Sequence, residues 1–169
     1  TTTMALRFAL SIACAILLHG LHAQLSGTYT VGAGNTQYAT LQEAFAALHE
    51  QGAQGEVVFL VMPGVYEGQL QLGPVPGAPT GIVLRGATGV PGDVVLSHTS
   101  TTLNEGHVLA VEGACAVRVE ALTLRGRHPA QKRLVLLQQA ADGFLLHNCV
   151  FEQEAEVPVM AGPTVRHHR

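Results

Sequence analysis

Two adjacent stretches of the chain repeat each other, and this repeat constrains the fold more than any other feature. Residues 108–124 align with residues 135–151, an offset of 27 residues because position 108 falls on position 135. Both copies consist of short apolar runs and turns, and Leu122 falls on Cys149 while Leu124 falls on Phe151. A period of this length is typical of a parallel β-helix, whose coils bury their inward side chains against one another. A β-sandwich with coincidental alternation is the alternative.

The alignment makes specific pairs. Val108 falls on Val135 and Leu109 on Leu136 in the first strand of each copy, and Val119 falls on Leu146 in the second. If the repeat is a coil, these residues stack in register. Leu122, Leu124, Cys149 and Phe151 are then predicted to be structural residues that point into the core.

The region from residue 55 to this repeat has the same texture. Runs such as EVVFLVM, GIVLRGA and DVVLSH are separated by Gly, Pro or Asp, the expected pattern of short strands and turns. No amphipathic helix lies between them, which excludes an alternating βα fold. With 47% hydrophobic and 12% charged residues, the chain is too apolar for disorder. The fold class predicted is all-β, a right-handed parallel β-helix.

One helix is predicted, at about residues 40–51. Thr40 and Glu43 have the spacing of a capping box, in which the hydroxyl accepts from the Glu43 amide and the carboxylate reaches back. Leu41, Phe45 and Leu48 form an apolar stripe at helical spacing, and Gly52 follows as a stop signal. We expect this amphipathic helix to cover the open end of the first coil.

The N-terminus has the pattern of a secretory signal peptide over residues 1–23, with residues 1–3 preceding Met4. Arg7 is basic, and residues 8–18 form an apolar run that is too short to span a bilayer. Cleavage after Ala23 predicts a secreted or cell-surface protein that meets a membrane only through this peptide. The nine Lys and Arg become eight without Arg7, against 12 Asp and Glu, so nucleic acid is not an expected partner.

With these residues in hand, the chain resembles secreted right-handed parallel β-helix proteins of the pectin lyase-like superfamily. YATLQEAFAAL is similar to their opening helix, and VVFLVMPGVYEGQLQL is similar to their first strands. The sequence pattern over residues 25–151 resembles that of modular bacterial cell-surface proteins. The resemblance implies a β-helix over residues 24–156, an irregular and truncated end over 157–169, and downstream domains of the same protein as partners.

Pectin methylesterase is the enzymatic relative that this resemblance suggests. HNCVF, at residues 147–151, is similar to a strand that precedes a catalytic Gln and Asp in that family. Counted from Cys149, those two places hold Ala155 and Glu156, and no later Asp and Arg pair follows before Arg169. Ester hydrolysis there needs two acids at one site. No catalytic residue is therefore assigned.

Other side chains are candidates for binding. Glu152, Glu154 and Glu156 alternate, which would place three carboxylates on one strand face as a possible calcium site, although a solvated acidic edge is the simpler interpretation. No other cofactor is expected. Arg85, Arg118 and Arg125 are candidates for a basic groove that binds acidic sugars. The histidines His128, His147, His167 and His168 are interpreted as surface or tail residues. Asn104 and Asn148 are predicted to occupy left-handed turn positions.

The function predicted is a noncatalytic β-helix module of a larger surface protein, either structural or binding an extended polysaccharide. The alternative is the N-terminal part of a carbohydrate-active enzyme, a pectin methylesterase or polysaccharide lyase, whose catalytic coils lie beyond this chain. Cys115 and Cys149 would lie in an oxidising compartment, where a disulfide is permitted.

Overall fold

The computed structural model of the chain describes residues 23–99, 106–113, 116–127, 133–139 and 141–153. These residues form one α-helix and twelve strands. In chain order the elements are β1 Leu25–Val31, α1 Leu41–Gln51, β2 Ala53–Val61, β3 Gly64–Glu67, β4 Leu70–Leu72, β5 Gly77–Gly86, a 3₁₀ turn Pro91–Asp93, β6 Val94–His98, β7 Leu109–Glu112, β8 Val117–Glu120, β9 Thr123–Gly126, β10 Val135–Gln138, β11 Leu145–His147 and β12 Val150–Gln153. No helix among the described residues is long and apolar enough to cross a membrane.

The strands make three parallel sheets. Sheet A has the order β1-β2-β5-β8-β11, sheet B has β3-β6-β9-β12, and sheet C has β4-β7-β10. The chain therefore passes through sheets A, B and C in turn and then returns to sheet A one strand further along. Every strand pairing is parallel. This is the coil of a parallel β-helix, as predicted, and the β-sandwich alternative is wrong.

The repeat found in the sequence is the register of the last coils. Arg118 pairs with Leu145 and Leu124 with Phe151, both at the predicted offset of 27 residues. In sheet C the prediction is wrong by one residue, because Leu109 pairs with Val135 and not with Leu136.

The slip has its cause in the turns that follow these strands. The turn between β7 and β8 consists of residues 113–116. The equivalent turn after β10 consists of residues 139–143, up to the position aligned with Val117, and is therefore one residue longer. Because side chains alternate between the two faces of a strand, a slip of one residue exchanges the inward and outward sets. Val135 accordingly packs against the core, and Leu137 is aligned with the fully buried Val111.

The core is built from columns of inward side chains, one from each coil. Tyr66, Leu96, Leu124 and Phe151 follow one another in register through sheet B. Leu96 and Leu124 are fully buried, as is Leu122, so the predicted inward orientation of Leu122 and Leu124 is confirmed. Phe151 has no described coil beyond it and is 49% exposed.

Helix α1 begins as predicted. The Glu43 amide donates to Thr40 Oγ1 over 3.2 Å, and the Glu43 carboxylate accepts from the Ala39 amide over 2.9 Å, which completes the capping box. The helix ends at Gly52, whose φ of 74° is left-handed and whose amide donates to the Leu48 carbonyl. A Cβ atom at Gly52 would lie 2.6 Å from the Pro76 carbonyl oxygen, so glycine is required there.

The apolar face of α1 covers the N-terminal end of the coil stack. Leu41, Phe45 and Leu48 are buried, and the helix packs against β1 and β4. Phe45 meets Phe59 of β2 with ring centroids 6.1 Å apart. Strand β1 precedes the helix and forms the edge strand of sheet A at this end, so the cap consists of α1 together with β1. This strand was not identified in the sequence.

Candidate functional site

The outer face of sheet A carries the charged residues that the structure brings together across coils. Along β2, β5 and β8 the apolar residues of the core cluster alternate with outward residues such as Glu56, Arg85 and Glu120. The strand register stacks these positions: Arg85 is aligned with Glu120, and Glu120 with His147. Residues far apart in the sequence therefore become neighbours on this face.

Four of these residues form the sheet A ion-pair network, defined as Glu56, Arg85, Arg118 and Glu120. Arg85 Nε lies 2.6 Å from Glu120 Oε2. Arg118 Nη2 lies 2.6 Å from Glu56 Oε1, and its Nη1 lies 3.9 Å from Glu120 Oε1. Arg118 spans β5 to reach Glu56 on β2, and the residue aligned with Glu56 on β5 is Gly81, which has no side chain to block this path.

The network is a surface feature with one protected member. The side chains of Arg118 and Glu56 are 40% and 49% exposed, whereas that of Glu120 is 15% exposed. Exposed ion pairs stabilise a fold by only about 0 to 1 kcal/mol each. The network therefore matters less for stability than for the charge that this face presents, which sums to zero over two arginines and two glutamates.

Sheet B carries a second set of ion pairs. Arg125 Nε lies 2.7 Å from Glu152 Oε2, and Arg127 Nη1 lies 3.5 Å from Glu67 Oε1. Ser97 lies between these pairs in the strand register, is fully buried, and has a hydroxyl without a hydrogen-bond partner. The predicted basic groove thus separates into two places, because Arg85 and Arg118 lie on sheet A while Arg125 lies on sheet B.

The acidic and histidine candidates are only partly within the described residues. Glu152 is engaged by Arg125, and Ala155, Glu154 and Glu156 lie outside the described residues, as do His128, His167 and His168. His147 is exposed at the outer face of β11. Within the described ranges, no three His, Cys, Asp or Glu side chains are grouped so that they could hold a metal ion.

The remaining candidates have structural positions. Asn148 adopts the predicted left-handed conformation, with φ of 51°, and its side-chain amide donates to the Gly89 carbonyl over 3.1 Å. Cys149 is half-buried, its thiol donates to the Val119 carbonyl over 3.3 Å, and burial raises its pKa. Cys115, Asn104 and residues 1–22 of the predicted signal peptide lie outside the described residues.

Sequence reasoning missed a polar corner between sheets B and C. Gln69 Nε2 lies 3.2 Å from His107 Nδ1 and 3.4 Å from the His107 carbonyl oxygen. Because a carbonyl oxygen can only accept, the Gln69 atom that faces it must be the donating amide nitrogen, and His107 Nδ1 accepts from the same nitrogen. Burial, Arg133 and His98, in that order, lower the pKa of His107. The signal available in the sequence was the position of His98 and His107 at the two ends of one long connection.

Two clefts lie beside the capping helix, and the sequence did not indicate them either. One of about 310 Å³ lies between the start of α1 and β3, with Thr40, Tyr66 and Glu67 in its lining. The other, of about 240 Å³, lies between α1 and β4, where Phe45 and His49 line it. His49 Nδ1 donates to the Pro74 carbonyl and His49 Nε2 accepts from the Gly73 amide, and these two hydrogen bonds join the helix to the first coil.

Comparison with known proteins supports the fold but does not show a family. No family model matches the chain, and no curated protein matches it. Two solved structures of pectin methylesterase from Aspergillus niger are similar to it. The penultimately deglycosylated form, with an N-acetylglucosamine stub, is 21% identical with a TM-score of 0.50 over 78% of this chain. The deglycosylated form is 20% identical with a TM-score of 0.49 over 78% of this chain.

The structure with a TM-score of 0.50 agrees with the fold class that the strand pairing shows. The chain has the pectin lyase-like β-helix fold. The prediction of a right-handed parallel β-helix with an amphipathic N-terminal capping helix is confirmed. The match covers 52% of each pectin methylesterase chain, so this chain spans about half the length of the structures it matches. At this level of identity the likeness shows the fold alone.

Proposed function

We propose that the chain is a noncatalytic β-helix module, structural or glycan-binding, of a larger secreted or surface protein. The observation that carries this proposal is the sheet A ion-pair network. Its four side chains are fixed against one another at 2.6 Å in two of the pairs, on a face made of strands in register. Such a face offers ordered polar groups to a ligand that lies along the coils.

The geometry of the face suits an extended ligand. Neighbouring strands of a sheet lie about 4.8 Å apart, so equivalent outward positions recur at that spacing along the axis of the coils. Arg85, Glu120 and His147 form one such row. An extended polysaccharide that lies along this row would meet hydrogen-bonding groups from successive coils.

The state of the carboxylates supports a noncatalytic role for the described coils. Ester hydrolysis by carboxylates needs one acid to act as nucleophile or base and a second acid at the same site. Glu56, Glu120 and Glu152 are each held by an arginine at 2.6 to 2.7 Å. Each of these carboxylates is therefore already paired with an arginine of the protein.

A second candidate function is the N-terminal part of a carbohydrate-active enzyme. The likeness to pectin methylesterase structures favours it, since the match spans 52% of their length and leaves the rest of their coils without a counterpart here. Under this proposal the chain supplies the cap and first coils, and catalytic coils belong to the longer protein. The reading frame after Arg169 discriminates, because the enzyme requires a downstream set of two Asp and one Arg.

The proposal is tested by assaying the purified chain on pectin and polygalacturonate, with and without calcium. We expect no methylesterase or lyase turnover above a blank. Binding to insoluble polysaccharides, measured by depletion of the protein from solution, should be detectable and saturable for a glycan-binding module. Turnover that is lost in Glu156→Gln would overturn the noncatalytic assignment and make the acidic segment that contains Glu156 part of an active site.

A further inference from the structure

The geometry points to a neutral polysaccharide as the ligand of the outer face of sheet A, with Glu56 and Glu120 as the residues that exclude acidic chains. This inference rests on the proposed glycan-binding function and adds the class of ligand to it. The sequence by itself suggested the opposite, a basic groove for acidic sugars formed by Arg85, Arg118 and Arg125.

The arginines of this face are already occupied by carboxylates. Arg85 and Arg118 each direct a guanidinium nitrogen to within 2.6 Å of a glutamate oxygen. Glu120 serves both arginines, since Arg118 Nη1 approaches its second oxygen at 3.9 Å. The charges of the four side chains cancel, so the face attracts an anionic polymer no more than a cationic one.

A sugar carboxylate that binds an arginine of this face would either displace a protein carboxylate or lie next to one, where the two anions repel each other. The exchange replaces one charge-assisted hydrogen bond by another of the same kind, so it brings no gain. The displaced Glu120 would remain beside the incoming anion with its side chain only 15% exposed, and a like charge in a partly buried place is unfavourable. Acidic chains therefore bind at a disadvantage.

A neutral sugar chain can use the network without breaking it. A guanidinium has five N–H donors, and a carboxylate has about four acceptor sites, so paired groups keep capacity for sugar hydroxyls. Arg118 and Glu56 are 40% and 49% exposed, which leaves this capacity open to a ligand. Leu145, aligned with Arg118 on the next coil, is 50% exposed and offers an apolar surface for the C–H faces of a sugar ring.

The test compares binding of the full chain to two polymers, polygalacturonate as the acidic probe and an unsubstituted galactan as the neutral one. We expect the parent to bind galactan at least about tenfold more tightly than polygalacturonate at low salt. Glu120→Gln should raise the affinity for polygalacturonate by about tenfold, the effect of one new charge-assisted hydrogen bond. This gain should be lost in about 1 M salt, where charges are screened within about 3 Å.

The matched control is Glu112→Gln, which removes the same charge from sheet C and should leave both affinities unchanged. Glu56→Gln is a second test that remains valid if Glu120→Gln does not fold, because it releases Arg118. Equal or tighter binding of polygalacturonate by the parent would overturn the inference while leaving a glycan-binding function intact.

The other outcomes separate the two proposals. If the parent binds neither polymer but Glu120→Gln binds polygalacturonate, the masking of the arginines is supported and the glycan-binding function is refuted. If neither the parent nor the two variants on sheet A bind either polymer, both proposals are refuted. A gain in polygalacturonate affinity that Glu112→Gln reproduces is an effect of net charge and overturns the inference.

Discussion

Replacement of Leu124 by aspartate is the sharpest test of the coil register. Leu124 is fully buried on β9, between Leu96 of the preceding coil and Phe151 of the following one. Loss of a buried leucine side chain costs about 2 to 5 kcal/mol. A carboxyl with an unfolded pKa of about 3.9 must also be protonated to enter the core, which costs about 4 kcal/mol at pH 7. The total of about 6 to 9 kcal/mol is comparable to the whole stability of a domain of this size.

The assay is urea denaturation followed by circular dichroism, at pH 7 and at pH 4. We expect Leu124→Asp to be largely unfolded at pH 7. Burial raises the folded-state pKa of the new carboxyl, so the folded state binds the extra proton and the penalty shrinks as pH falls. Near pH 4 only the packing loss of about 2 to 5 kcal/mol should remain.

Leu145→Asp is the matched control, because Leu145 lies on the next coil but points outward and is 50% exposed. Its effect should stay within about 0.5 kcal/mol, the usual range for a surface substitution. If Leu124→Asp unfolds at the same urea concentration as Leu145→Asp, Leu124 does not point into the core and the register is wrong.

The other predictions concern the cap, the polar corner and the open end of the stack. Gly52→Ala should destabilise the protein by more than about 1 kcal/mol because of its left-handed φ and the Pro76 carbonyl beside it, whereas Gly92→Ala, which meets no atom within 4 Å, should have little effect in the same urea titration. Thr40→Ala should cost about 1 kcal/mol through loss of the N-cap, with Thr40→Ser as the variant that keeps it. The pKa of His107 is lowered in the folded state, so the unfolded state binds the extra proton: the free energy of unfolding should be constant above about pH 6.5 and should fall below it, and His107→Asn should reduce this slope. Among the described residues, nothing covers the strand edges and half-exposed apolar residues of the last strands, β10 to β12, so we expect self-association in sedimentation velocity runs; a monomer at high concentration would show that another segment covers this end.

The parts of the fold that were predictable from the sequence are those with a local signal. The capping box of Thr40 and Glu43 and the stop at Gly52 lie within one short segment, and the structure has each of them. The strands of the repeat were found because apolar residues alternate within a few positions. Strand β1 was missed because its sequence, LSGTYTV, has only one clear apolar residue at each end.

The candidate site was less predictable, because its geometry depends on how many residues each turn contains. Arg118 and Glu56 are 62 positions apart, and they meet only if every intervening turn has the right length. The single extra residue after β10 shows how sensitive this is, since it moved the pairing of Val135 by one place. The sequence indicated Arg85 and Arg118 as candidates for a basic groove but could not show that Glu56 and Glu120 neutralise them.

The division between inward and outward positions also explains why the sequence of a β-helix specifies its fold more directly than its function. Inward residues such as Leu96 and Leu124 need only be apolar and of suitable size to stack, so they specify a coil and carry no information about a ligand. Outward residues decide what the surface binds, but the groups that each one offers to a ligand depend on its neighbours on adjacent coils. Glu120 illustrates this. In the sequence it is an isolated acidic residue, but with β5 and β8 in register it forms ion pairs with two arginines. Function in a β-helix is therefore tested most directly by changing one outward residue while the inward column beneath it is left intact.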